Sequence, residues 1–169
     1  MAIPTIPITL RDVVVTFEDA TGTPISATAI YEEGNFSISG MQEGDKAVNV
    51  FKDRGDIYSA RYGEQEAVDV SITLHATTIY EGTDTIPLDA VNKTGAFSGG
   101  ISTWGTETVD PWMVKIVAAV EGVDRGDTDK TITIPYFRGT ASISDGNPMT
   151  IEISGQAYPK GATAAVTRA

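Results

Sequence analysis

The sequence predicts a mainly β chain: two packed antiparallel β-sheets, sandwich- or barrel-like, with one short flanking α-helix. Three observations predict it. Apolar and polar residues alternate with a period of two along most of the chain. Gly, Pro, Asn and Asp turn signals separate these stretches about every 8–12 residues. One short segment alone carries both the start and the stop signals of a helix.

The strands follow in order. Val13, Val15 and Phe17 alternate with Asp12, Thr16 and Glu18, with Val14 interrupting the polar side. Ile25, Ala27, Ala29 and Tyr31 alternate with Ser26, Thr28 and Glu32. Phe36 and Ile38 face away from Ser37 and Ser39, and Val48 and Val50 away from Ala47 and Asn49. The clearest strand sets Val68, Val70, Ile72, Leu74 and Ala76 against Asp69, Ser71, Thr73 and His75. The run from Val114 to Val120 is apolar on both sides, which fits a central strand covered on both faces or a helix; its β-branched content and the following Gly122 favour the strand. Ile132, Ile134 and Tyr136 oppose Thr131 and Thr133, and Met149, Ile151 and Ile153 oppose Thr150, Glu152 and Ser154.

The helix begins near Thr85, a cap residue, with Pro87 in its first turn. Leu88 and Val91 share a face, Lys93 suits the last turn and Gly95 the stop. Two turns are marginal alone, so this helix must dock on the sheets. A glycine-rich loop is expected over 95–110. Nothing divides the chain: residues 1–158 read as one domain with a short N-terminal arm, and 159–169 as a C-terminal arm or flexible tail.

Composition narrows the function. The chain has 169 residues with 23 acidic against 12 basic, a net charge of −11, which disfavours passive binding to a phosphate backbone. It has no cysteine, which removes disulfides, thiolate nucleophiles and Cys-ligated metals. No secretory signal and no membrane-spanning run is seen, so synthesis in a cytoplasm is expected and the sequons at Asn35 and Asn92 are read as chance.

No constellation points to catalysis, and no cofactor or metal is expected. His75 lies on the polar face of its strand with no partner spaced to build a dyad, so it reads as an exposed strand residue. Asp124-Arg125-Gly126-Asp127-Thr128-Asp129-Lys130 has three carboxylates but lacks the calcium-loop spacing, and reads as a solvated hairpin tip. Arg-Gly-Asp occurs at Arg54-Gly55-Asp56 and Arg125-Gly126-Asp127, where charged residues around Gly are ordinary turn chemistry. Glu32-Glu33, Glu64 with Glu66, and Asp53 with Asp56 read as solvated surface. Trp104, Trp112, Tyr58, Tyr62 and Tyr80 fall in or near loops, open to core packing or to a subunit interface.

The run Phe51-Lys52-Asp53-Arg54-Gly55-Asp56-Ile57-Tyr58-Ser59-Ala60-Arg61-Tyr62-Gly63-Glu64-Gln65-Glu66 leads into the strand Val68-Asp69-Val70-Ser71-Ile72-Thr73, then to the helix ending Asn92-Lys93-Thr94-Gly95. An Asp-Arg-Gly turn, a Tyr-Gly with acidic neighbours, a Val-x-Val-Ser strand and an Asn-x-Thr-Gly helix end, in this order, resemble the bacteriophage tail tube (major tail) protein family. The resemblance covers about residues 8–158 as an arrangement of elements.

That resemblance implies a structural virion protein, made in the bacterial host cytoplasm and located in the tail. Its subunits would close into hexameric rings by extending β-structure between neighbours, and the rings would stack into a hollow tube for DNA passage. Partners would be further copies, the tape measure, the tip or baseplate, the terminator and a sheath. The 41–66 region would protrude and contact the next ring, with Asp45, Lys46, Phe51, Lys52, Asp53, Arg54, Asp56, Tyr58, Arg61 and Tyr62 as contact candidates. The segment from Gly44 to Tyr62 would be mobile in the free subunit and protected in the assembly. Asp69 and Glu152, on polar strand faces, are candidates for an acidic lumen, where negative charge would let DNA slide, with a place on the outer surface as the alternative. The alternatives are another β-rich virion part, a head decoration or tail terminator protein, or an extracellular binding module using an Arg-Gly-Asp loop.

Overall fold

The computed structural model describes residues 13–21, 24, 26–31, 35–75, 86–120, 130–146 and 149–169. Among these residues there are ten strands: β1 Val13–Glu18, β2 Ser26–Tyr31, β3 Asn35–Ser39, β4 Lys46–Asp53, β5 Asp56–Gln65, β6 Val68–His75, β7 Val114–Val120, β8 Lys130–Ser144, β9 Thr150–Ala157 and β10 Thr167–Arg168. Among them there is also one α-helix, α1, over Pro87–Asn92. The two expected antiparallel sheets are present, and they are unequal. Seven strands run in the order β2-β1-β7-β8-β9-β6-β3, with β10 also paired to β8, and β4–β5 form a separate ribbon.

The large sheet curls into a half-barrel, bringing β2 near β6, and α1 sits against β1, β2, β8 and β9. The alternation read from the sequence decides which side chains fill the curl. Val15 and Phe17, Val68, Val70, Ile72 and Leu74, Ile116 and Ala118, Ile134, Ile151 and Ile153 are all buried. Their polar alternates Asp69, Ser71, Glu152 and Ser154 are exposed on the outer face. Phe36 and Ile38 pack partly buried against the same core. The apolar run of β7 is a central strand between β1 and β8, as its two-sided pattern predicts.

Strand β8 departs from a simple alternation. Ile116 pairs with Ile134, yet Val114 pairs with Phe137, so one extra residue lies in β8 beside Pro135. Proline has no N–H to give the ladder and is tolerated where a bulge interrupts it. The bulge shifts the phase, so Phe137, not the expected Tyr136, takes the inward position and is fully buried. Beyond it Gly139 pairs with Gly155, and a Cβ on Gly139 would come 2.6 Å from Phe137 Cζ. The glycine pair leaves the space that the phenyl ring occupies.

Helix α1 has Ile86 at its N-cap without a side-chain cap bond, and the expected cap Thr85 lies outside the described residues. Its buried face is Pro87, Ala90 and Val91, while Leu88 is half-buried. The helix also ends earlier than the sequence suggests. Lys93 is the left-handed C-cap with φ 57, and its N–H donates to the Asp89 carbonyl. Thr94 Oγ1 donates to Asp89 Oδ1 at 2.7 Å, which closes the turn.

The loop expected over 95–110 begins with a 3-10 turn at Gly95–Phe97 and runs on to residue 113, held by specific bonds. Ile101 N–H donates to the buried Asp19 carboxylate at 3.2 Å, and Trp112 Nε1 donates to the Ala90 carbonyl at 2.9 Å. Gly100 is required at this crossing, since a Cβ there would lie 2.6 Å from Asp19 Oδ2 and 2.9 Å from Trp112 Cη2.

Candidate assembly interface

The β4–β5 ribbon is built from a strand–turn–strand sequence, and among the described residues none of its side chains belongs to the hydrophobic core. Asp53 pairs with Asp56 across a two-residue turn, Arg54-Gly55, in which both residues have positive φ (51 and 94). Positive φ at both central positions matches the twist of a hairpin. Register shifts between Lys46 and Val48 and between Phe51 and Lys52 place the extra residues in β5, Tyr58 being one of them. Such bulges add twist and spoil a flat edge.

Neither β4 nor β5 pairs with a strand of the large sheet. The alternation of Val48 and Val50 therefore marks a strand but no buried face, and both are exposed. Val48 is opposite Tyr62 and Val50 opposite Ala60, so these four share one face of the ribbon. Phe51 lies on the other face, and Ile57 stands near the tip, 67% exposed. A two-stranded ribbon is marginal on its own, and a concentration of exposed large apolar side chains marks a contact surface.

Most contact candidates read from the sequence lie on this ribbon with exposed side chains: Lys46, Phe51, Lys52, Asp53, Arg54, Asp56, Arg61 and Tyr62. Tyr58 is in β5, but its side chain lies outside the described residues. Asp45 differs from the exposed group. It lies at the ribbon's base, is 8% exposed, and its Oδ2 accepts from the Ala165 N–H at 2.8 Å. Gln65 Nε2 donates to the Gly161 carbonyl at 3.1 Å, and Gln42 Nε2 donates to Glu66 Oε2 at 2.8 Å. The sequence marks Glu43-Gly44-Asp45 as a turn, but no local signal names a partner 120 residues away.

The C-terminal segment, expected as an arm or flexible tail, runs back along the domain. Ala165 is fully buried, Thr167 and Arg168 pair with Thr133 and Ile132, and Ala169 exchanges backbone bonds with Thr131. Lys160 Nζ lies 4.9 Å from the Trp104 ring centroid and 5.5 Å from that of Tyr136, and donates to the Trp104 carbonyl. Trp104 and Tyr136 meet edge-to-face at 5.3 Å. The two tryptophans thus serve internal contacts, Trp104 at the C-terminal segment and Trp112 at α1.

Asp69 and Glu152 share the exposed outer face of β6 and β9. Asp69 Oδ1 accepts from Gln156 Nε2 at 3.0 Å, while Glu152 pairs in register with Thr73. Arg138, Thr140 and Ser142 of β8 continue this polar face. His75 ends β6 opposite Thr150, its side chain outside the described residues. Glu64 and Glu66 are exposed, as are Asp53 and Asp56. The second Arg-Gly-Asp and the rest of its loop, Tyr80, and Glu32-Glu33 lie outside the described residues; Lys130 opens β8. Among the described residues no three metal-binding side chains gather, and no helix is long and apolar enough to cross a membrane.

No protein-family model and no curated protein matches the chain in sequence. Two solved structures match it in shape along nearly its whole length. One is a chain of an extracellular contractile injection system, the PVC sheath/tube terminator in its extended state (TM-score 0.54, 14% identity, 99% of each chain covered). The other is a chain of the six-fold symmetrised baseplate of the anti-feeding prophage (TM-score 0.51, 12% identity, 100% of this chain and 97% of that one). The chain therefore shares its fold with a chain from each of these two assemblies.

Proposed function

We propose that this protein is a structural subunit of a phage-tail-like particle and acts by self-assembly, without catalysis. Its copies close into rings of six, and the rings stack as a hollow tail tube that lets DNA pass. The observation that carries this reading is the β4–β5 ribbon, which holds Val48, Val50, Phe51, Ile57 and Tyr62 exposed and, among the described residues, pairs with no strand of the large sheet. Apolar side chains gathered on a projecting hairpin gain free energy when a neighbour covers them. Among the described residues β2 and β3 are the edge strands of the large sheet, and pairing there between neighbouring copies would avoid uncontrolled edge association. Asp69 and Glu152 suit a wall that repels DNA. Further partners are the tape measure, baseplate, terminator and sheath proteins, and the site of action is the virion tail.

A second reading is a tail terminator, favoured by the likeness to a chain of a sheath/tube terminator structure. A terminator stops at a single ring, whereas a tube protein stacks. Light scattering and negative-stain electron microscopy across a concentration series test both readings, with Ile57→Asp beside the wild type. Stacked rings that Ile57→Asp abolishes, with the melting temperature unchanged, support the tube. Single rings that never stack support the terminator. A wild-type chain that stays monomeric, even when mixed with assembled tail tips, refutes the self-assembly reading.

A further inference from the structure

We propose that residues 159–169 are a latch that sets the direction of the β4–β5 ribbon, with Asp45 as the positioning residue. The ribbon joins the domain through two narrow segments, Gly40 to Asp45 on one side and Gln65 to Ala67 on the other. The first is built to bend: Gly40, Gly44 and Asp45 all have positive φ (85, 64 and 52). A non-glycine residue in the left-handed region is uncommon and persists where its surroundings hold it.

The C-terminal segment supplies that hold. Asp45 Oδ2 accepts from Ala165 N–H in a buried bond between positions otherwise remote in the chain. Gln65, on the other arm of the hinge, donates to Gly161. Both arms are thus tied to one segment. Asp45 also links the two arms, since its carbonyl accepts from Glu66 N–H at 2.8 Å.

The segment is itself anchored at both ends to parts of the domain outside the ribbon. Lys160 sits against Trp104 and Tyr136, and Thr167, Arg168 and Ala169 pair with β8. Between these anchors Ala165 is fully buried. A partner that displaces the segment would release the ribbon, and a seated segment holds it in one orientation. The latch is a property of the single chain and does not depend on the ring reading.

Amide hydrogen exchange on the full-length protein, at a concentration where it is monomeric, tests this. Asp45→Ala removes the acceptor and Asp45→Asn retains one, in a residue type that tolerates positive φ. Asp45→Ala is expected to speed exchange at Ala165 and at Glu66 by about 10-fold or more, the effect of losing a charge-assisted bond, with β6 and β9 unchanged. Asp45→Asn is expected to restore most of the protection. Removing residues 167–169, which pair with β8, is expected to speed exchange at Glu66 as well. Unchanged Glu66 exchange in both Asp45→Ala and the shortened chain overturns the latch. Loss of protection spread equally over β6 and β9 also overturns it, since that is global destabilisation. Microscopy of rings reads the assembly proposal separately.

Discussion

Replacing Gly155 with Ala tests the packing that closes the half-barrel. Gly155 pairs with Gly139 across the β8–β9 ladder. A Cβ at 155 would fall well inside van der Waals contact of the Arg138 carbonyl oxygen and Gly139 Cα, and 2.9 Å from the Arg138 carbonyl carbon. All of these obstacles are backbone atoms, so no rotamer change relieves them. The strands must move apart, which strains neighbouring ladder bonds and lifts the Phe137 ring from its seat. Overpacking alone costs about 1–3 kcal/mol. Weakening one adjacent ladder bond adds about 1 kcal/mol. A loss of about 3 kcal/mol is therefore expected. With a urea slope of about 2–3 kcal/mol per molar, the midpoint drops by about 1–1.5 M. Gly99→Ala is the control, because a Cβ there meets nothing within 4 Å. It should change stability by less than about 0.5 kcal/mol. Equal midpoints for Gly155→Ala and the wild type would refute the close approach of β8 and β9.

Substitutions at three further positions separate strong from weak contacts. Asp19, 4% exposed, accepts from Thr21 N–H, Thr21 Oγ1 and Ile101 N–H, so Asp19→Ala should cost about 3 kcal/mol in urea unfolding and Asp19→Asn less than half of that. Trp112→Phe removes the bond to the Ala90 carbonyl and weakens the contact with Lys93 Nζ, 4.9 Å from the ring, for an expected loss of about 1–2 kcal/mol by thermal unfolding. Lys115→Met breaks the 2.9 Å pair with Glu18, but both side chains are partly exposed, so the loss should stay below about 1 kcal/mol and shrink in 1 M salt. A larger cost for Lys115→Met than for Asp19→Ala would invert the ranking that burial predicts.

The residues that were legible in the sequence share one property: their environment follows from local periodicity. Val68, Val70, Ile72 and Leu74 alternate with polar residues, and a pleated strand with one covered face buries them all. Pro87 announces the start of α1, and Arg54-Gly55 the tip of the ribbon, because both constrain φ within a few residues. The same local rule misleads where the context is remote. Val48 and Val50 alternate as a strand should, yet no sheet lies behind them. Tyr136 continues the period of Ile132 and Ile134, yet the bulge beside Pro135 hands the inward place to Phe137.

The sequence by itself therefore determined the strand content, the single short helix, the turn chemistry and the absence of any cysteine-based chemistry. Each of these depends on a residue and its near neighbours. Only the tertiary structure decided how the strands divide between a large curled sheet and a separate ribbon, and where residues 159–169 are seated. Those outcomes rest on pairings such as Gly139 with Gly155 and Asp45 with Ala165. The physical reason is range: a dihedral preference acts over a few residues, whereas a hydrogen bond between distant segments exists only after the chain has closed on itself.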